Sequence, residues 1–124
     1  MKQEYIEGDM VEYLEQPVMI RRCHDEYNFD LLYDHRIQDK DIPLSKIYPI
    51  RLTDKILRKN GWYDREDFPN VYFNDTDGLS NIYLGRCCNG WSINVHGEVL
   101  ASVFYVHQFQ HFLLGIGFDT EMDV

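Results

Sequence analysis

Val11 and Tyr13, then Val18 and Ile20, alternate with charged or polar neighbours. A period of two marks strands with one buried face. Glu15-Gln16-Pro17 separates the two runs, and Pro17, lacking an N–H, belongs at a turn or at the start of a strand. The polar break Asp25-Glu26-Tyr27-Asn28 precedes a third strand, Phe29-Asp30-Leu31-Leu32-Tyr33. Asp34-His35 turns into a short fourth strand, and Ile47-Tyr48-Pro49-Ile50 closes the series. Short strands packed this densely suit a small closed barrel, because closure hides sheet edges.

The period then changes. Thr53 has the chemistry of an N-cap and Asp54 suits the first turn of a helix. Leu52 and Leu57 occupy the positions of a hydrophobic staple. Gly61 falls where a left-handed residue ends a helix, and Trp62 can then fold back on Leu57. These signals predict a short helix over Asp54–Asn60, followed by a polar loop from Tyr63 to Pro69. Strands are expected at Val71-Tyr72-Phe73, Leu79–Leu84, Trp91–Val95 and Val99–Ser102. Asn74-Asp75-Thr76-Asp77-Gly78, Asn89-Gly90 and His96-Gly97 supply the turns. Trp91, Ile93 and Val95 share one face, which predicts core. At the end, Tyr105, Val106, Phe109, Phe112, Leu113 and Ile116 recur at helical spacing, ending near Gly115 or Gly117.

The expected fold is therefore α+β. A small β-barrel-like module occupies 1–52. A helix, an antiparallel sheet and a C-terminal helix covering that sheet occupy 53–124, the two parts packed as one unit.

The first part resembles the SH3-like and Tudor-like small barrels. Gly8-Asp9-Met10-Val11 is similar to their opening strand, Leu32-Tyr33-Asp34 to their middle strand and turn, and Leu44 to Ile50 to their closing segment. A second resemblance is carried by Ile50-Arg51-Leu52-Thr53-Asp54-Lys55-Ile56-Leu57-Arg58-Lys59-Asn60-Gly61-Trp62 and by Tyr105-Val106-His107-Gln108-Phe109-Gln110. Both segments, in this order, resemble those of small uncharacterised proteins of bacteria, prophages and phages. That resemblance implies a mobile-element context and carries over no catalytic residue. Phe109-Gln110-His111-Phe112 stands where such proteins more often have aliphatic residues.

Charge narrows the partners. The 124 residues hold 12 basic and 21 acidic side chains, a formal net charge of −9. There is no Lys/Arg-rich stretch, which argues against direct binding of nucleic-acid phosphates or anionic lipid. No apolar run reaches the roughly 20 residues that cross a bilayer. The charged Met1–Glu7 lacks the apolar centre of a signal peptide, and three cysteines, two of them adjacent, make a poor disulfide framework. A cytoplasmic location is expected.

Each chemical motif falls short of a complete site. His107 and His111, four apart on one helix, are the candidate metal ligands, but no Glu follows His107, and a further ligand would have to come from Cys87 or Cys88 on the sheet. Cys87 and Cys88 point to opposite faces of a strand. A nucleophilic thiol would need His96 or His107 beside it. Asp75-Thr76-Asp77-Gly78 lacks the distal Glu of a calcium loop. Glu66-Asp67 and Asp39/Asp41 read as solvated carboxylates. Gly115-Ile116-Gly117 follows a helix, so it reads as a cap and not as a phosphate loop.

No cofactor, no metal and no catalysis are therefore expected. The aromatic content, nine Tyr, seven Phe and two Trp, suits contact surfaces. Tyr13, Tyr27, Phe29 and Tyr33 are the candidate walls of a binding groove on the first module. The leading expectation is a protein–protein interaction module, with self-association left open. Two alternatives stand beside it: an acidic mimic of nucleic acid that inhibits a host enzyme, and a small cysteine/histidine enzyme.

Overall fold

The computed structural model of the chain describes residues 5–33, 37–76, 78–87, 90–118 and 121–124. In chain order the elements are β1 (Met10–Tyr13), β2 (Gln16–Cys23), β3 (Asn28–Tyr33), β4 (Ile37–Pro43), a 3₁₀ turn (Leu44–Lys46), β5 (Tyr48–Pro49), α1 (Asp54–Lys59), β6 (Tyr63–Arg65), β7 (Phe68–Phe73), β8 (Ile82–Cys87), β9 (Gly90–Val95), β10 (Glu98–Val103) and α2 (Val106–Gly115). They form two compact units. One contains residues 1–50, 106–122 and 124, and the other contains residues 51–105 and 123. The fold is α+β, and the described residues form two antiparallel sheets of five strands each.

In the first unit the strand order is β4-β3-β2-β1-β5. Val11, Tyr13, Val18 and Ile20 all point into the core with Tyr5, Phe29, Leu31 and Ile47, as the alternation predicts. β1 and β2 pair from Met10↔Met19 to Tyr13↔Gln16, so Leu14 and Glu15 form a two-residue hairpin turn. Both have positive φ, 52° and 61°. Two irregularities break the sheet's alternation. The β2–β3 register shifts between Ile20 and Arg22, and the β3–β4 register shifts between Phe29 and Leu31. Phe29, Asp30 and Leu31 are consequently all buried.

Two expectations for this unit need correction. Among the described residues the sheet is open, with β4 and β5 at its edges, so it is not a closed barrel. β5 has only two paired residues and the 3₁₀ turn precedes it, which leaves little strand for a closing ladder. The second correction concerns α2, expected to cover the second sheet. Its anchors lie instead in the first unit. Gln110 Oε1 accepts the Met10 N–H at 2.8 Å. Gln110 Nε2 donates to the Gly8 carbonyl at 2.9 Å. A buried amide goes where its partners are, and these are at the start of β1. The expected fourth-strand entry at Asp34-His35 lies outside the described residues.

In the second unit the order is β10-β9-β8-β7-β6. Leu52, Ile56, Leu57, Trp62, Tyr72, Ile82, Leu84, Trp91 and Ile93 are buried there, while Val95 is half-buried. Helix α1 starts where Thr53 Oγ1 accepts the Ile56 N–H at 3.3 Å. It ends in the paired bonds of a Schellman motif, with Trp62 N donating to Leu57 O and Gly61 N to Arg58 O at Gly61 φ 87°. The segment expected as a polar loop, Tyr63 to Pro69, forms β6 and the start of β7. Its aromatics supply strand contacts: Phe68 lies 6.2 Å from Phe73 between ring centroids, and Arg65 sits 4.3 Å over the Phe73 ring.

Candidate functional site

The four aromatics predicted to line a groove take different positions. Phe29 and Tyr13 are core residues, 2% and 8% exposed. Tyr33 is half-buried 6.4 Å from the Tyr13 ring, its hydroxyl donating to Asp39 Oδ2 at 2.9 Å. Burial, then the hydrogen bond and charge of Asp39, push the Tyr33 phenol well above its ordinary range. Only Tyr27 is exposed, in the β2–β3 turn, where its N–H is held by Asp25 Oδ1 at 2.7 Å. Solvent therefore reaches one of the four fully.

The histidines on α2 are drawn into the first unit. His107 is buried against the Tyr5 ring, 4.9 Å between centroids. Burial, reinforced by the neighbouring His111, pushes its pKa down to about 4. His111 Nε2 lies 2.8 Å from Asp9 Oδ2 and 3.0 Å from Oδ1. Asp9 Oδ2 also accepts the Ile6 N–H at 2.8 Å. Burial raises the Asp9 pKa even against these partners. Among the described residues the pair gathers no third metal ligand.

Among the described residues of the second unit, the expected Cys87–His96 pair does not meet. Cys87 and His96 share the second unit but sit at opposite ends of the β8–β9 hairpin, since Cys87 pairs with Gly90 while Ile82 pairs with Val95. Five residues of strand put roughly 17 Å between those ends. Cys88 lies outside the described residues. In the first unit, Cys23 Sγ is 3.7 Å from the Tyr5 carbonyl, and burial followed by Glu7 and Asp9 raises its pKa. A thiol so held stays protonated and is a poor nucleophile. Of the calcium-loop remnant, Asp77 lies outside the described residues, and the polar groups before it are engaged locally. Asn74 Oδ1 accepts the Thr76 N–H, and Asp75 Oδ2 accepts the Tyr63 hydroxyl.

What the sequence reading missed is a three-residue cluster on the first sheet. His24 follows β2, Asp30 is on β3 and Asp41 is on β4. Their ligating atoms all lie within 4.8 Å of one another. His24 Nε2 is 2.8 Å from Asp30 Oδ1 and 3.4 Å from Asp41 Oδ1. Asp30 Oδ1 also accepts the Asp41 N–H at 3.0 Å. Asp41 adopts the left-handed region at φ 55°, within the β3–β4 irregularity. Asp30 is only 5% exposed. Burial alone would raise its pKa, but the contact with His24, the Asp41 N–H and the charges of His24 and Arg22 bring it below the ordinary carboxylate value. Beside it is a cleft of about 400 Å³ lined by Glu7, Arg21, Arg22, Asp30 and Lys40. The available signal was Asp30 itself, a carboxylate between Phe29 and Leu31 within a strand.

The second unit carries a smaller cleft of about 280 Å³ that includes Arg51, Asp54, Arg86, Cys87 and Trp91. Arg86 stacks 5.0 Å over Trp91, whose Nε1 donates to the Leu52 carbonyl at 2.8 Å. Compared with known proteins, the chain matches no protein family, no curated protein and no solved structure.

Proposed function

We propose that this protein is a non-catalytic protein–protein interaction module of bacterial or mobile-element origin. The observation that carries the reading is the β10 edge. Strand β10 terminates its sheet, and two successive residues on it, Val99 and Leu100, are 63% and 58% exposed. An apolar edge strand offers unpaired backbone groups and hydrophobic side chains together, the combination that strand-addition partners use. The register shifts between Val99 and Ala101, so the regular ladder with β9 is interrupted beside Leu100.

The SH3-like reading of the first unit draws support from its β4-β3-β2-β1-β5 order, in which consecutive strands pair and β5 returns beside β1. The test is affinity capture from bacterial lysate with the wild type and with a Val99→Lys/Leu100→Lys variant, at low and high salt. A partner retained at high salt and lost with the variant supports the reading. Capture unaffected by the variant refutes the edge. Capture of a nucleic-acid enzyme at low salt alone would replace it with acidic mimicry.

A further inference from the structure

We propose that His24, Asp30 and Asp41 form a binding site for a divalent first-row transition-metal ion. The donor set is one imidazole nitrogen and two carboxylate oxygens, a combination suited to Zn²⁺ or Mn²⁺. Ligand atoms about 2.1 Å from one ion stand roughly 3.0 Å apart at right angles and roughly 3.4 Å apart at the tetrahedral angle. The Nε2–Oδ1 separations of 2.8 Å to Asp30 and 3.4 Å to Asp41 need only small adjustments to meet that geometry.

A hydrogen-bond reading accounts for only part of this arrangement. The imidazole Nε2 carries one proton or one lone pair. A proton there is directed to Asp30 Oδ1, the nearer oxygen. One proton serves one oxygen well, yet Asp41 Oδ1 also stands 3.4 Å from the same nitrogen although its side chain is 76% exposed. Two anionic oxygens near one another also repel unless a cation lies between them. An ion held by Nε2 and both oxygens removes each difficulty.

The fold supplies the rigidity such a site needs. Asp30 is anchored by burial and by the Asp41 N–H, so the innermost ligand is fixed before an ion arrives. The remaining coordination positions face solvent through His24 and Asp41, leaving room for water. Arg22 and Lys40 stand on the cleft side of Asp30, and their charge holds the affinity to a moderate level. None of these residues is in the β10 edge, so the site stands apart from the proposed interaction function.

The experiment is calorimetric titration of the untagged full chain with ZnCl₂ and with MnCl₂, paired with thermal unfolding. Wild type is expected to take up one ion per chain and to unfold at a higher temperature with the ion present. His24→Gln preserves a hydrogen bond to Asp30 but replaces the nitrogen ligand, and Asp41→Asn removes an exposed charge without touching the core. Each should weaken binding at least about tenfold, while His96→Gln, a control on an exposed histidine of the other unit, leaves it unchanged. Absence of one-to-one binding by wild type would overturn the proposal. So would binding that survives in both His24→Gln and Asp41→Asn while circular dichroism shows them folded.

Discussion

Gln110 accepts the Met10 N–H at 2.8 Å, joining positions 100 residues apart in the chain. The same amide donates to the Gly8 carbonyl at 2.9 Å, so one fully buried side chain satisfies two backbone groups at the entry to β1. Gln110→Ala would strand both groups and leave a void. Orphaned buried groups cost about 1–3 kcal/mol each, so a total near 3 kcal/mol is expected after relaxation. Urea unfolding measures it. A loss below about 1 kcal/mol would show that water replaces the amide at little expense.

His107 makes the fold acid-sensitive in a defined window. Its pKa is near 6.5 in the unfolded chain and about 4 in the folded one, because burial and then the nearby His111 disfavour the imidazolium. The unfolded state therefore binds a proton that the folded state refuses, and this contribution to stability is lost as pH falls from about 6.5 to about 4. Full burial would set the loss at about 3 kcal/mol, and solvent screening reduces it. His107→Phe keeps a ring against Tyr5 and removes the titration. The variant should lose less stability than wild type between pH 7 and pH 5 in parallel denaturant curves. Identical pH slopes would contradict the assignment.

The β1–β2 turn holds avoidable strain. Leu14 and Glu15 both occupy the left-handed region, at φ 52° and 61°, without the Asn or Gly that this two-residue turn favours. Replacing them by Asn-Gly should stabilise the protein by roughly 1–2 kcal/mol. The Leu14 side chain is 70% exposed, so little packing is forfeited. A fall in the unfolding midpoint would mean that Leu14 has a contact role at the surface.

Legibility in the sequence followed the range of the interactions. The ends of α1 were readable because Thr53, Leu57, Gly61 and Trp62 act on one another within ten residues. The alternation of Val11, Tyr13, Val18 and Ile20 was readable because a regular strand obeys a period of two. The place of α2 was not, since the partners of Gln110 and His111 are at Gly8, Met10 and Asp9. Nor was the His24–Asp30–Asp41 cluster. It depends on register shifts in two ladders and on a left-handed Asp41, none of which leaves a periodic mark. Tyr13 and Phe29, two of the expected groove walls, lie in the core for a related reason. Composition marks Tyr13 and Phe29 as rings that will be buried somewhere, and a core satisfies that as well as a partner does.

Metal removal should separate folding from binding at the His24 cluster. The core of the first unit is made by Tyr5, Val11, Tyr13, Val18, Ile20, Phe29, Leu31 and Ile47, and none of the three candidate ligands belongs to it. An ion bound at the cluster adds stability by mass action, RT ln(1 + [L]/Kd), on top of a fold that the apolar core already sustains. Protein treated with excess EDTA should therefore keep its far-UV circular dichroism and its cooperative transition. Returning Zn²⁺ should raise the midpoint in wild type and leave it unmoved in His24→Gln. The contrasting case is a structural zinc domain, in which the free energy of binding is the free energy of folding and chelation unfolds the chain. Collapse of the dichroism signal on chelation, reversed by Zn²⁺, would place this protein in that class. It would show that the sheet irregularities at Arg22 and Asp30 are held by the ion and not by the core.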